Sequence, residues 1–188
     1  MSLPSLDGRT VAILATDGFE QSELLSPRDA LREAGATVHV VSPASGSIKG
    51  WDEDDWGDSV DVDTALGDAD AADYDALVLP GGQMNPDKLR LDDDALAFVK
   101  AFARAGKPVA AVCHAPWLVV EAGLAEGRDM TSWPSLRTDL KNAGATVHDR
   151  DVVRCQNGPF ELITSRKPED LPAFNAAIAD ALTTAVGA

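Results

Sequence analysis

Short apolar runs rich in β-branched residues alternate along the chain with segments in which apolar residues recur every three or four positions. "TVAILA" (10–15), "TVHVVS" (37–42), "DALVLP" (75–80) and "PVAAVC" (108–113) have the length and near-continuous apolar character of strands buried on both faces. Helical periods lie between them. In "DDDALAFVKAFARAG", Leu96, Val99 and Phe102 share one face and Gly106 ends the run. In "SPRDALREAG", Ser26 suits a cap, Pro27 the first helical position, Asp29 a capping-box spacing and Gly35 a terminus, which predicts a helix beginning at Pro27. "PWLVVEAG" predicts a short buried helix, "SLRTDLKNAG" another, and Pro172 to Leu182 a closing one. "TVHDRDVVRCQNGPFELITS" predicts two or three short strands with a turn at Asn157-Gly158. Strands that alternate with helices imply an α/β fold, a mostly parallel sheet covered by helices on both faces, in a single domain over residues 1–188.

One stretch breaks the pattern. "GWDEDDWGDS" (50–59) is acidic and is expected to be a loop, either fully solvated or, because tryptophan is a poor solvating residue, packed at an interface or pocket rim. The chain as a whole is acidic too: 31 Asp+Glu against 16 Lys+Arg give a formal charge of -15. That balance repels phosphate backbones and anionic lipid, so neither nucleic acid nor a membrane is an expected partner. "MSLPSLDGRT" lacks both a basic stretch and a long apolar core, so no secretory signal is expected and a cytoplasmic location is. In a reducing compartment Cys113 and Cys155 are expected as free thiols. Neither belongs to a CxxC pair and the three histidines have no ligand spacing, so neither a metal site nor a cofactor is expected.

In an open α/β sheet, ligands bind outside the carboxyl ends of the strands, where three loops should meet: "TDGFE", "PGG" and "CHAPW". Cys113 ends a strand and begins a helix, the position of a nucleophile elbow, with Ala111 and Ala115 as small residues two places before and after it. The helix N-terminus there favours a thiolate, although a buried cysteine used only for packing has the same local sequence. Glu20 is the carboxyl group expected to reach that sulfur, retaining its proton through burial and the neighbouring charge; a helix N-terminal glutamate is the alternative. Gly81, Gly82 and the His114 amide are candidate oxyanion donors, or Gly81-Gly82 is simply a turn. His114 can meet the sulfur as a base only if the backbone twists, because adjacent side chains normally diverge; otherwise it orients substrate. His39 and His148 read as structural or exposed, and Cys155 as packing.

"TDGFEQSEL", "ALVLPGG", "GKPVAAVCHAPW", "TSWPSLRTDLKNAGA" and "TSRKPEDLPAF", in this order, resemble the PfpI-type intracellular proteases and stress proteins of the ThiJ/PfpI superfamily, from about Arg9 to Leu182. The resemblance implies a flavodoxin-like, glutamine amidotransferase-like three-layer sandwich. It implies Cys113 as nucleophile, Glu20 as its acid, His114 as the catalytic histidine, Gly82 and the His114 amide as oxyanion donors, and Trp133 bordering the pocket. Small carbonyl compounds and glycated or peptide substrates are the implied partners, with hydrolysis of peptidase, glyoxalase-like or deglycase type in a stress response. A non-catalytic redox-sensing or chaperone-like role for an oxidisable cysteine is the alternative. Dimers or hexamers are implied, some with an acid from a neighbouring subunit against the histidine, for which Asp52 to Asp55 is the one suggestive segment. The family pattern continues Cys-His-Gly, where this chain has Ala115, a methyl group expected to narrow the pocket or shift the backbone.

Overall fold

The apolar runs lie side by side in one sheet, as their patterning requires. The computed structural model describes residues 3–184. In chain order the strands are β1 (Thr10–Leu14), β2 (Phe19–Glu20), β3 (Thr37–Ser42), β4 (Ser47–Asp52), β5 (Asp55–Asp61), β6 (Thr64–Ala65), β7 (Ala76–Leu79), β8 (Val109–Val112), β9 (Asp129–Met130), β10 (Thr146–Val147), β11 (Val152–Cys155) and β12 (Leu162–Ser165). The α-helices are α1 (Gln21–Glu33), α2 (Met84–Leu89), α3 (Asp93–Arg104), α4 (Pro116–Glu121), α5 (Arg137–Asn142) and α6 (Leu171–Thr184).

The main sheet has the order β11-β12-β8-β7-β1-β3-β6, parallel throughout except for the edge pair β11 and β12. Register is set by apolar neighbours: Ile13 faces Val40 on one side and Val78 on the other, and Val78 faces Ala110. Alternate side chains of these strands enter two cores. Leu77, Leu79, Ala111 and Leu162 pack with Phe98 and Phe102 of α3 and Leu118 of α4. Ile13, Val78, Val112 and Ile163 pack with Leu24 and Leu31 of α1 and Phe174 and Ile178 of α6. Burying a side chain of this size contributes about 1.5–3 kcal/mol, so both faces of the sheet must be covered. The result is the three-layer α/β sandwich that the alternation predicts. Among the described residues no helix is long and apolar enough to cross a membrane.

The capping rules hold for α3, where the Asp92 carboxylate accepts from the amides of Asp94 and Ala95 and Gly106 follows with φ +72°. They mislead for α1. That helix begins at Gln21, not Pro27, and contains Pro27 in its interior. Packing of Leu24, Pro27 and Leu31 against the sheet outweighs the one backbone bond that proline cannot donate. The acidic stretch is likewise not an irregular loop. It is the tip of a hairpin, β4 on β5, joined to β2 in a small three-stranded sheet. Glu53 turns the hairpin at φ +53°, and Trp51 and Trp56 meet edge to face across it at 5.6 Å. The helix α2 was not foreseen, and the helix predicted over "SLRTDLKNAG" is a single 3-10 turn, Pro134–Leu136, followed by the short α5.

Strand order reverses at β1, with β3 on one side and β7 on the other. Crevices open at such a reversal, outside the carboxyl ends of the strands.

Candidate active site

Cys113 occupies the first residue after β8 with φ +61°, a left-handed conformation that costs a non-glycine residue about 1–2 kcal/mol. The surrounding bonds hold it there. Its amide donates to the Ser165 carbonyl at 3.1 Å, its carbonyl accepts from the Trp133 amide at 2.9 Å, and the Ala115 amide closes the turn onto the Val112 carbonyl at 3.0 Å. This is the backbone twist that the neighbouring histidine requires. His114 Nδ1 lies 3.1 Å from Cys113 Sγ, although the two residues are adjacent in sequence. The imidazole is stacked on Trp133, 5.9 Å between centroids and 25° between planes, and meets Trp117 edge-on at 5.3 Å. Burial lowers its pKa, so the ring is neutral at pH 7. The group facing its other nitrogen, Nε2, is Ser135 Oγ at 3.5 Å, a residue that sequence reasoning did not single out.

The carboxyl group beside the sulfur is Glu23, not Glu20. Glu20 is the residue before α1, accepts from Ser22 Oγ at 3.2 Å and lines the outer cavity, close to the alternative foreseen for it. Glu23 lies one turn further along, is fully buried, and sits close enough to the Cys113 thiol for each group to perturb the other's protonation. Its Oε2 accepts from the Gly81 amide at 2.9 Å, and its Oε1 is buried with no partner within the protein. Burial first, then the charge of Glu20, pushes the Glu23 carboxyl up to about 8. A signal for Glu23 was present in the sequence: it shares the stripe of Leu24, Pro27 and Leu31, where a carboxylate has no reason to be unless it has a partner inside.

Cys113 itself is only 6% exposed, and the thiolate expected at this helix N-terminus is disfavoured. Burial pushes its pKa up, the Glu23 charge adds to the rise, and the Gly82 and His114 amides that face the sulfur pull it down. The start of α4 does not outweigh the burial. Of the three donors foreseen for an oxyanion, the Gly81 amide is occupied by Glu23, whereas those of Gly82 and His114 are near enough to the sulfur to favour its charged form. Gly82 has φ +77°, and a Cβ there would lie 2.6 Å from the Gly18 carbonyl oxygen and 2.7 Å from the Glu20 nitrogen. Only glycine brings this amide to the sulfur.

These groups form the floor of a cavity of about 640 Å³. Trp51 and Trp133 form apolar walls, Met84 lies beside Gly18, and Glu20, Glu53 and Glu169 stand around the opening. The acidic hairpin is therefore a pocket rim, one of the alternatives the tryptophans suggested. Ala115 does not line the cavity; its methyl group is buried on the opposite side, in the core beneath α3 and α4. His39 pairs with the Tyr74 hydroxyl at 3.3 Å and His148 with Asp129 at 2.6 Å, both away from the cavity. Cys155 Sγ accepts from the Asp129 amide at 3.2 Å. Among the described residues no group of three or more His, Cys, Asp or Glu side chains is arranged to hold a metal ion.

Comparison with known proteins covers nearly the whole fold. Residues 9–181 match the model of the DJ-1/PfpI family. General stress protein 18 of Bacillus subtilis is 43% identical over 169 residues, 89% of this chain and 94% of the relative. Protein/nucleic acid deglycase 2 of Escherichia coli is 41% identical over 168 residues, again 89% and 94% of the two chains. Among solved structures, a two-domain protein of Anabaena variabilis with DJ-1/ThiJ/PfpI-like and ferritin-like domains superposes with a TM-score of 0.83 at 36% identity, covering 93% of this chain and 48% of that one.

Proposed function

This chain belongs to the DJ-1/PfpI family, and from that premise we propose that it is a cysteine-dependent hydrolase acting on small carbonyl compounds or glycated adducts, with peptides as a second substrate class. Cys113 Sγ within 3.1 Å of His114 Nδ1, on the floor of a cavity and beside a buried Glu23, is the observation that carries this reading. The neutral imidazole takes the thiol proton as the sulfur attacks. A C–S bond forms, and the carbonyl π pair moves to oxygen. The oxyanion is held by the Gly82 and His114 amides and receives a proton from the imidazolium, giving a hemithioacetal. Glu23, which keeps its own proton at neutral pH, stands beside the sulfur without placing a second negative charge there. Because the nucleophile is a side chain and the donors are amides, this route requires no metal.

The same reading has the chain act in the cytoplasm during stress, as a homo-oligomer. Turnover of methylglyoxal, glycated thiols and a peptide, side by side, is the test. Wild type is expected to act on at least one of them in EDTA, and Cys113→Ala to lose at least about a thousandfold. His114→Ala is expected to lower kcat more than it raises KM. No turnover above the Cys113→Ala control, together with ready oxidation of Cys113 by peroxide, would instead support the redox-sensing alternative.

A further inference from the structure

The opening of the Cys113 cavity collects carboxylates from three separate elements. Glu20 precedes α1, Glu53 turns the β4–β5 hairpin and Glu169 lies on the turn before α6, and all three line the cavity. No lysine or arginine is among its lining residues. Glu20 senses Asp52 and Glu53 as like charges, which places the negative groups within electrostatic reach of one another. Two cations stand near them. Lys167 is paired loosely with Glu169 at 3.8 Å, and Lys88 donates to the Asp17 carbonyl. At the floor, Glu23 lines the cavity with its Oε1 unpartnered on a side chain that is 0% exposed, so a buried polar atom is left there for a ligand to meet. Trp51 and Trp133 supply the walls, and aromatic faces attract cations.

We infer that this opening selects carbonyl substrates by charge: those that are uncharged or carry a cation enter, and those that carry a carboxylate, sulfonate or phosphate are repelled. The inference rests on the reading of Cys113 as the group that meets the substrate. An uncharged aldehyde is indifferent to the rim. An adduct on a lysine or arginine side chain that retains its positive charge gains from it, whereas α-oxo acids, phosphosugars and adducts of nucleotides lose. Clefts lined by one sign of charge change association rates by about 10- to 1000-fold at low ionic strength.

Three methanethiosulfonates that differ only in the group they carry provide a probe independent of turnover. Each forms a mixed disulfide with the thiolate and releases methanesulfinate. The trimethylammonium-ethyl, sulfonato-ethyl and methyl reagents would be followed at the Cys113 peptide by mass spectrometry, and each rate divided by that of free mercaptoethanol. In wild type at low salt the cationic-to-anionic ratio is expected to exceed that of mercaptoethanol by about tenfold or more. Glu53→Gln with Glu169→Gln should reduce the excess at least about threefold, and about 0.5 M salt should shrink it further. A ratio equal to that of mercaptoethanol, a ratio unmoved by the two substitutions, or a Cys113 that none of the reagents reaches would overturn the inference. Kinetics on methylglyoxal against glyoxylate separate the two proposals. The expected charge ratio with no turnover of either aldehyde, glycated thiols or peptide leaves the rim selective and refutes the hydrolase reading, while equal kcat/KM for the two aldehydes refutes the selectivity.

Discussion

Cys113 and Glu23 share a buried space that tolerates one negative charge poorly and two hardly at all, so the proton count of the pair governs both stability and reactivity. Glu23 is raised from an ordinary 4.5 to about 8, so the folded protein binds this proton more tightly than the unfolded chain does. Its contribution to stability is therefore complete below the unfolded value and is lost as pH rises through the folded one. The Tm of wild type is expected to fall between about pH 4.5 and pH 8 more steeply than that of Glu23→Gln, which has no such titration. Parallel curves would show that Glu23 retains no extra proton. The two thiols should separate as well. Only Cys113 lines the cavity, so limiting iodoacetamide should alkylate it at least about ten times faster than Cys155, at a rate that increases above neutral pH. First labelling at Cys155 would remove the basis of the site assignment.

At the scale of elements, the site depends on two backbone segments that approach each other more closely than side chains allow. The turn after β7 brings Gly82 against the residues between β1 and α1, and the contacts a Cβ would make there are to backbone atoms that cannot rotate away. Gly8 offers an internal control, because its φ of +79° is similar but nothing lies within 4 Å of the Cβ position. Gly8→Ala is expected to cost about 1 kcal/mol for the left-handed conformation alone, and Gly82→Ala about 2 kcal/mol or more beyond that. Denaturant unfolding of both variants measures the difference; equal losses would mean that the close approach carries no strain. The hairpin is the second such element. Its strands place Trp51 on the cavity wall and leave Trp56 44% exposed, so one turn serves the pocket and presents an apolar surface.

For the molecule as a whole, that surface bears on assembly. Trp56 and Leu91, the latter 84% exposed, are large apolar side chains left in water beside a strongly acidic surface. Burying the hairpin rings in a two-fold contact would remove one of these costs. Light scattering at micromolar concentration is expected to give at least twice the chain mass, and Trp56→Glu to lower it. A wild-type monomer would remove oligomerisation from the functional reading.

Strand positions, the parallel character of the sheet and the elbow at Cys113 were legible from residue patterns alone, because period, β-branching and glycine conformation are local properties of the chain, whereas the tryptophan-rich stretch was read only as a loop, with a pocket rim as one of several places for it. Which acid faces the sulfur was not. Glu20 and Glu23 are three residues apart, and the choice between them depends on where α1 starts, which is set by packing of its apolar stripe against the sheet and overrides the preference of Pro27 for a first turn. The same holds for Gly81, whose amide serves Glu23 across 58 residues of chain, and for the thiol pKa, which depends on burial by segments far apart in sequence. Local sequence thus determined the conformations available to each segment, and only tertiary packing decided which polar atoms were enclosed together, since desolvation and hydrogen-bond geometry are properties of the assembled interior.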